Sequence, residues 1–163
     1  MKKAVFPGSF DPLTHGHLDI ILRSHTLFDQ LVIAVVNNPN KQCTFTLQER
    51  KIMIEEVLKE EGLTDFVTVK EFSGLLVHFL KKINARIIVR GIRALSDFEF
   101  EFRASRMNNH LDSSIETLFL LSGSDYEHIS SSLIKEVFQL GGNVSHYVPK
   151  SILDRLIQKK ELK

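Results

Sequence analysis

Five short runs of apolar and β-branched residues punctuate the chain, at 3–6, 31–36, 66–69, 86–89 and 116–121, and longer stretches with helical spacing of apolar residues separate them. Parallel strands cannot be joined by a tight turn; each needs a crossover connection, usually a helix. The alternation therefore predicts an α/β chain, a five-stranded parallel sheet with helices on both faces. Helices are expected at 16–28, 47–60, 75–83, 98–109, 132–140 and 151–160. The second is the most fully specified. Thr46 and Glu49 have the spacing of a capping box, Met53, Ile54, Val57 and Leu58 make an apolar face, and Gly62 supplies a C-terminal stop. The runs LVIAVV, RIIVR and ETLFLL are apolar almost throughout, as strands buried on both faces should be.

A chain of 163 residues can bury one sizeable core, which gives one domain over 1–163. Its 21 basic and 20 acidic side chains leave a net charge of +1, so there is no broad basic surface to hold nucleic acid. Cys43 is the single cysteine, which excludes an internal disulfide and a thiolate-rich zinc site and suits a reducing cytoplasm. Lys2 and Lys3 are followed by Ala4, Val5 and Phe6 before Pro7, and the longest apolar run, 31–36, falls far short of a bilayer span. Neither a signal peptide nor a membrane partner is expected.

In open parallel sheets ligands bind beyond the carboxyl ends of the strands, beside helix N-termini. Four of the strands are followed there by PGSFDPLTHGH, NNPNK, RGIR and SGSDYEHISSS, all rich in donors or cations. These turns should meet at one sheet edge and form a site for a phosphorylated ligand. No two glycines are separated by two positions or by five, so neither a dinucleotide fingerprint nor a P-loop is present. In their place stands Thr14-His15-Gly16-His17 at a strand-to-helix turn. Gly16 would let the backbone approach a phosphate, and His17 would reach it from the first helical turn. Arg90 and Arg93 flank Gly91 and Ile92; two such guanidiniums should repel unless anions lie beside them, and their forks suit phosphate oxygens.

GSFDPLTHGH resembles the N-terminal signature of the nucleotidyltransferases with a (T/H)xGH motif. With FTLQER, VRGIRALSDFEFE, RMNNHL and ISSSLIKEV in that order, the chain is similar over nearly its whole length to the phosphopantetheine adenylyltransferase family. The resemblance implies a Rossmann-like nucleotidyltransferase fold and transfer of the adenylyl group of ATP to 4′-phosphopantetheine, giving dephospho-coenzyme A and pyrophosphate. An acceptor phosphate is already an anionic nucleophile and pyrophosphate a good leaving group. Direct in-line attack then needs alignment and positive charge, not a side-chain nucleophile. Magnesium is expected with ATP, and no cluster of carboxylates marks a metal cage owned by the protein; the family likeness implies a homohexamer and control by coenzyme A. The alternatives are the same chemistry on another acceptor, such as nicotinamide mononucleotide or a glycerol phosphate, and a nucleotide-binding sensor without turnover.

The same resemblance carries roles onto individual residues. His17 would donate to phosphoryl oxygens in the transition state, while His15 holds the variable position of the motif and has no catalytic role. Lys41 would follow the reacting phosphates and Arg90 would hold the acceptor phosphate, completing a catalytic set of three. Ser9 stands where threonine is usual and keeps the hydroxyl, and Leu76, Met107 and Asn108 would complete the acceptor site with it. ATP would meet Ser9, Phe10, His17, Gly91, Ile92, Arg93 and Glu101, and the run Tyr126, Glu127, His128, Ile129, Ser130, Ser131 and Ser132, where hydroxyls and helix amides suit anions. Phe6 replaces a usual tyrosine and lacks its hydroxyl. Read without the resemblance, Glu101 is a helix-surface carboxylate, the serines are a cap, Leu76 is core, and Asp11 and Pro12 are turn formers.

Overall fold

The computed structural model describes residues 2–37 and 42–161. Five strands, β1 (Lys3–Gly8), β2 (Gln30–Val36), β3 (Val67–Phe72), β4 (Ile87–Ile92) and β5 (Glu116–Leu121), pair in parallel in the order β3-β2-β1-β4-β5. The helices are α1 (His15–His25), α2 (Leu47–Glu60), α3 (Leu76–Lys82), α4 (Leu95–Leu111), α5 (Ser131–Gln139) and α6 (Lys150–Glu161). The expected parallel α/β architecture is therefore the one observed. No helix among the described residues is long and apolar enough to cross a membrane.

Period-two alternation along the strands sorts their side chains between two cores. Ala4, Phe6, Leu31, Ile33 and Val35 join Leu18, Ile21, Ile54, Ile134 and Ile152 from α1, α2, α5 and α6 on one face. Val5, Val32, Ala34 and Ile88 pack with Val77 and Leu80 of α3 on the other. The second helix closes as its sequence specifies. Thr46 and Glu49 form the reciprocal capping box, and Gly62, at φ 67°, follows the C-cap so that the Leu63 N–H can donate back to the Leu58 carbonyl at 2.8 Å.

Two strands depart from expectation. β3 runs on to Phe72 through Lys70 and Glu71, which pair with Ala34 and Val35. At a sheet edge the ladder can continue through charged residues because one face meets water. β5, expected to be buried, is not: Leu118 is 37% and Leu121 69% exposed. It is the other edge, with β4 as its neighbour, so an apolar run here marks a face left uncovered in the single chain.

The sheet order places a topological switch point between β1 and β4, where successive crossovers leave in opposite directions. β1 stays paired with β2 as far as Gly8 and Val35, yet its pairing with β4 is confined to Ala4 with Ile87 and Val5 with Ile88. Beyond those pairs the strands part, and the gap opens at their carboxyl ends.

Candidate active site

A cavity of about 300 Å³ fills that gap, bounded by residues 6–11 at the end of β1 and the turn after it, the start of α1, the end of β4, the first part of α4 and residues 129–132. Gly91 lets its walls close. A Cβ there would stand 3.1 Å from Ile20, so α1 can lie directly on β4.

His17 is the third residue of α1, and its imidazole is held at Nδ1. The Thr14 backbone N–H donates to that Nδ1 at 3.1 Å, while the Thr14 hydroxyl accepts from the His17 backbone N–H at 3.3 Å. This is a capping box with histidine in the place usually held by glutamate. An Nδ1 that accepts from a backbone amide carries no proton, so the neutral ring holds its proton on Nε2. Phe10 meets the ring edge-on at 5.0 Å and Phe6 lies 6.2 Å away, which restricts its rotation. The site thus has an oriented N–H donor beside a helix N-terminus, the combination that stabilises phosphoryl oxygens.

Across the cavity Arg90 and Arg93 resolve their mutual repulsion with carboxylates of α4. Arg90 grips Glu101 with both arms of its fork, Nε to Oε2 at 2.7 Å and Nη2 to Oε1, and its Nη1 donates to the Pro7 carbonyl at 2.6 Å across the β1–β4 gap. Arg93 grips Asp97 in the same way, at 2.8 and 3.1 Å, and donates to the Ile129 carbonyl at 2.8 Å. At the far end Ser130 caps α5 by accepting from the Leu133 N–H, and the Ser131 hydroxyl donates to the Pro12 carbonyl. Capping and donation into the cavity share this geometry.

A family model described as cytidylyltransferase-like matches residues 5–137. The phosphopantetheine adenylyltransferase of Caldanaerobacter subterraneus subsp. tengcongensis is 46% identical over 159 residues, covering 98% of each chain. That of Alkaliphilus oremlandii is 49% identical over 152 residues, 93% of this chain and 95% of the relative. The chain belongs to the phosphopantetheine adenylyltransferase family. At the level of fold alone, a Vibrio parahaemolyticus structure provisionally assigned as a nicotinate-nucleotide adenylyltransferase matches with a TM-score of 0.72 at 20% identity, over 97% of this chain and 93% of that one.

The fold brings Ser9, Phe10, His17, Arg90, Gly91, Arg93, Glu101 and Ile129 to Ser132 to one cavity. Ile92 is buried beneath it. Tyr126 packs 6.3 Å from the His15 ring and His128 5.9 Å from Tyr147, while Glu127 is exposed; these three do not line the cavity. Nor do Leu76, which packs on the second core, Met107, which is exposed, and Asn108, which is half-buried on α4. Lys41 lies outside the described residues.

Asp97 and Arg50 escaped the sequence reading, and Asp11, read there only as a turn former, is a buried carboxylate. Asp97, in the first turn of α4, sits four residues after Arg93, which precedes the N-cap Ala94 and pairs with the carboxylate from outside the helix. Arg50 is 2% exposed and Asp11 1%. The signal for Arg50 was its position on the α2 face that also carries Met53, Ile54 and Val57, where an apolar residue is the rule. For Asp11 no such signal existed, because its partners, the Thr44 and Phe45 N–H groups and Lys135, are distant in sequence.

Proposed function

We propose that the chain transfers the adenylyl group of ATP to 4′-phosphopantetheine, yielding dephospho-coenzyme A and pyrophosphate. The observation that carries this reading is the meeting, at the β1–β4 switch point, of an imidazole fixed as an Nε2–H donor with two arginine forks. An oxygen of the acceptor phosphate attacks the α-phosphorus of ATP in line with the departing pyrophosphate. The new P–O bond forms as the α–β bridging bond breaks, and its electron pair leaves with pyrophosphate. No covalent enzyme intermediate is required. His17 donates to the phosphoryl oxygens as charge redistributes, Arg90 with Lys41 and Ser9 holds the acceptor phosphate, and Arg93 with Ser130 to Ser132 holds ATP.

No group of three or more His, Cys, Asp or Glu among the described residues could hold a metal ion, and Asp97 and Glu101 are engaged by arginines. That donor set fits magnesium arriving on the ATP phosphates with waters in its shell, where it would offset phosphate charge. The reading extends to a single cytoplasmic nucleotidyltransferase domain over 1–163 that assembles as a homohexamer. Exposed Leu95, Phe98, Phe100 and Phe102 of α4 and Leu121 of β5 support self-association, since large apolar side chains left bare on one chain favour a partner.

The decisive experiment is pyrophosphate release from ATP against a panel of acceptors. Release with 4′-phosphopantetheine, and far less with nicotinamide mononucleotide or glycerol 3-phosphate, is expected. Release with a non-pantetheine acceptor alone would overturn the assignment.

A further inference from the structure

Arg50 does not line the cavity, yet it is tied to it. Its buried guanidinium donates to three backbone carbonyls: Ser9 at 2.6 Å, Val36 at 3.1 Å and Phe45 at 3.2 Å. At a helix-face position among Met53, Ile54 and Val57, a well-packed apolar side chain would avoid the desolvation of a charge. The three carbonyls belong to separate segments, the β1–α1 turn, the end of β2 and the approach to α2, so one planar fork sets their spacing.

The turn held this way is strained. Phe10, directly after Ser9, has φ 48°, a left-handed conformation that costs a residue with a Cβ roughly 1–2 kcal/mol and persists where the surroundings over-determine it. Arg50 fixes the peptide on one side of Phe10. On the other, the buried Asp11 carboxylate accepts from the Thr44 and Phe45 N–H groups, each at 2.9 Å. The Phe45 residue is therefore bracketed, its carbonyl taken by Arg50 and its amide by Asp11. Phe10 in turn forms the edge-on wall of His17, and its ring packs so closely on Gly8 that a Cβ there would stand 2.9 Å from it. A displacement of the Ser9 carbonyl would rotate Phe10 and release the imidazole it confines.

We propose that Arg50, opposed by Asp11, is a positioning residue for the transfer. It holds the Ser9–Phe10 turn in its left-handed form and thereby aligns Ser9 and the His17 imidazole with the reacting phosphates. The inference rests on the adenylyl transfer proposed above. It distinguishes Arg50 from a core stabiliser, whose loss would lower the amount of folded enzyme without changing the turnover of each folded molecule.

The test is a double-mutant cycle of Arg50→Lys with His17→Ala, read as kcat, KM for each substrate and Tm. Lysine keeps the charge but cannot span three carbonyls with a planar fork. Arg50→Lys should lower kcat at least about thirtyfold with KM for ATP within about threefold, and in the His17→Ala background its effect should shrink to about threefold or less. Asp11→Asn, which removes one of the carboxylate acceptors, should show the same coupling and decides the matter if Arg50→Lys does not fold. Equal losses with and without His17, or failure of both single variants to fold, would make the pair structural and overturn the proposal. Wild-type enzyme in the same assay separates the two failures. Absence of transfer by the wild type defeats the proposed function, and with it this inference; transfer with additive losses defeats the positioning role alone.

Discussion

At the rim of the cavity Arg90 and Arg93 each hold a carboxylate beside one backbone carbonyl, whereas beneath it Arg50 donates to three backbone carbonyls. The rim side chains are 27% and 36% exposed, and their partners also reach water. Ion pairs of that kind contribute about 0–1 kcal/mol, because solvent competes for both charges. A phosphate can displace or share such a carboxylate at small cost, since the guanidinium exchanges one anion for another. Arg50 has no comparable exchange open to it. Its partners are fixed parts of the chain, and breaking one bond would strand a buried charge. Under the proposed function, the cations that would receive a ligand rest on replaceable anions, and the cation proposed to hold the turn is bonded to the backbone.

His17 belongs to the fixed set and gives the largest expected effect. His17→Ala should leave the fold and ATP affinity largely intact while lowering turnover at least about a hundredfold, about 2.7 kcal/mol of transition-state stabilisation. Steady-state kinetics with a binding titration checks this, and near-normal turnover would remove His17 from the mechanism. At the rim, substitutions should instead separate the substrates. Arg90→Ala should raise KM for 4′-phosphopantetheine by about tenfold or more with less effect on ATP, and Arg93→Ala the reverse. Lysine should rescue either poorly, because a point charge loses the direction set by the fork. Equal effects on both substrates would reduce the pair to a shared electrostatic field.

A smaller effect is expected where a side chain presses on the fixed set without removing a donor. Gly8→Ala adds a methyl group against the Phe10 ring and should lower kcat several-fold with little change in either KM. A crystal structure of the variant should show the Phe10 ring displaced; unchanged kinetics with a moved ring would detach Phe10 from the alignment of His17. Smallest of all is the contribution of His15. Burial holds its pKa below the ordinary imidazole value of 6.5, against the upward pull of Glu61 and of the Val148 backbone. The unfolded chain therefore takes up the proton first as pH falls, and stability declines from pH 6.5 down to the lowered folded value. In His15→Gln the decline of Tm over that window should be shallower, and an unchanged slope would place the titration elsewhere.

Much of this is legible in the sequence. The strands announced themselves by apolar runs, and the polar turns after them could be assigned to one sheet edge because parallel strands all point the same way. That assignment brought Ser9, His17, Arg90, Arg93 and Ser130 to one place. What stayed hidden was the choice of partners. Sequence shows that Arg90 and Arg93 need anions nearby but not that Glu101 and Asp97 supply them, because the approach of α4 to β4 is a tertiary fact. The exposure of β5 was hidden for a related reason. A run such as ETLFLL reports what a strand could bury, whereas its place at the sheet edge decides what one chain does bury. Arg50 could have been noticed from its apolar neighbours, yet its three carbonyl partners come from segments that only the folded sheet brings together.

Under the proposed function, transfer is a single direct displacement at the α-phosphorus, with the enzyme supplying alignment and charge but no nucleophile. Its most direct test is the stereochemical course with ATP made chiral at that phosphorus by a sulfur substituent, using 4′-phosphopantetheine as acceptor. One in-line displacement inverts the configuration in the dephospho-coenzyme A product, and inversion is the expected result. Retention would require two successive displacements through a covalent adenylyl-enzyme, and would contradict the mechanism even if the substrates were correct.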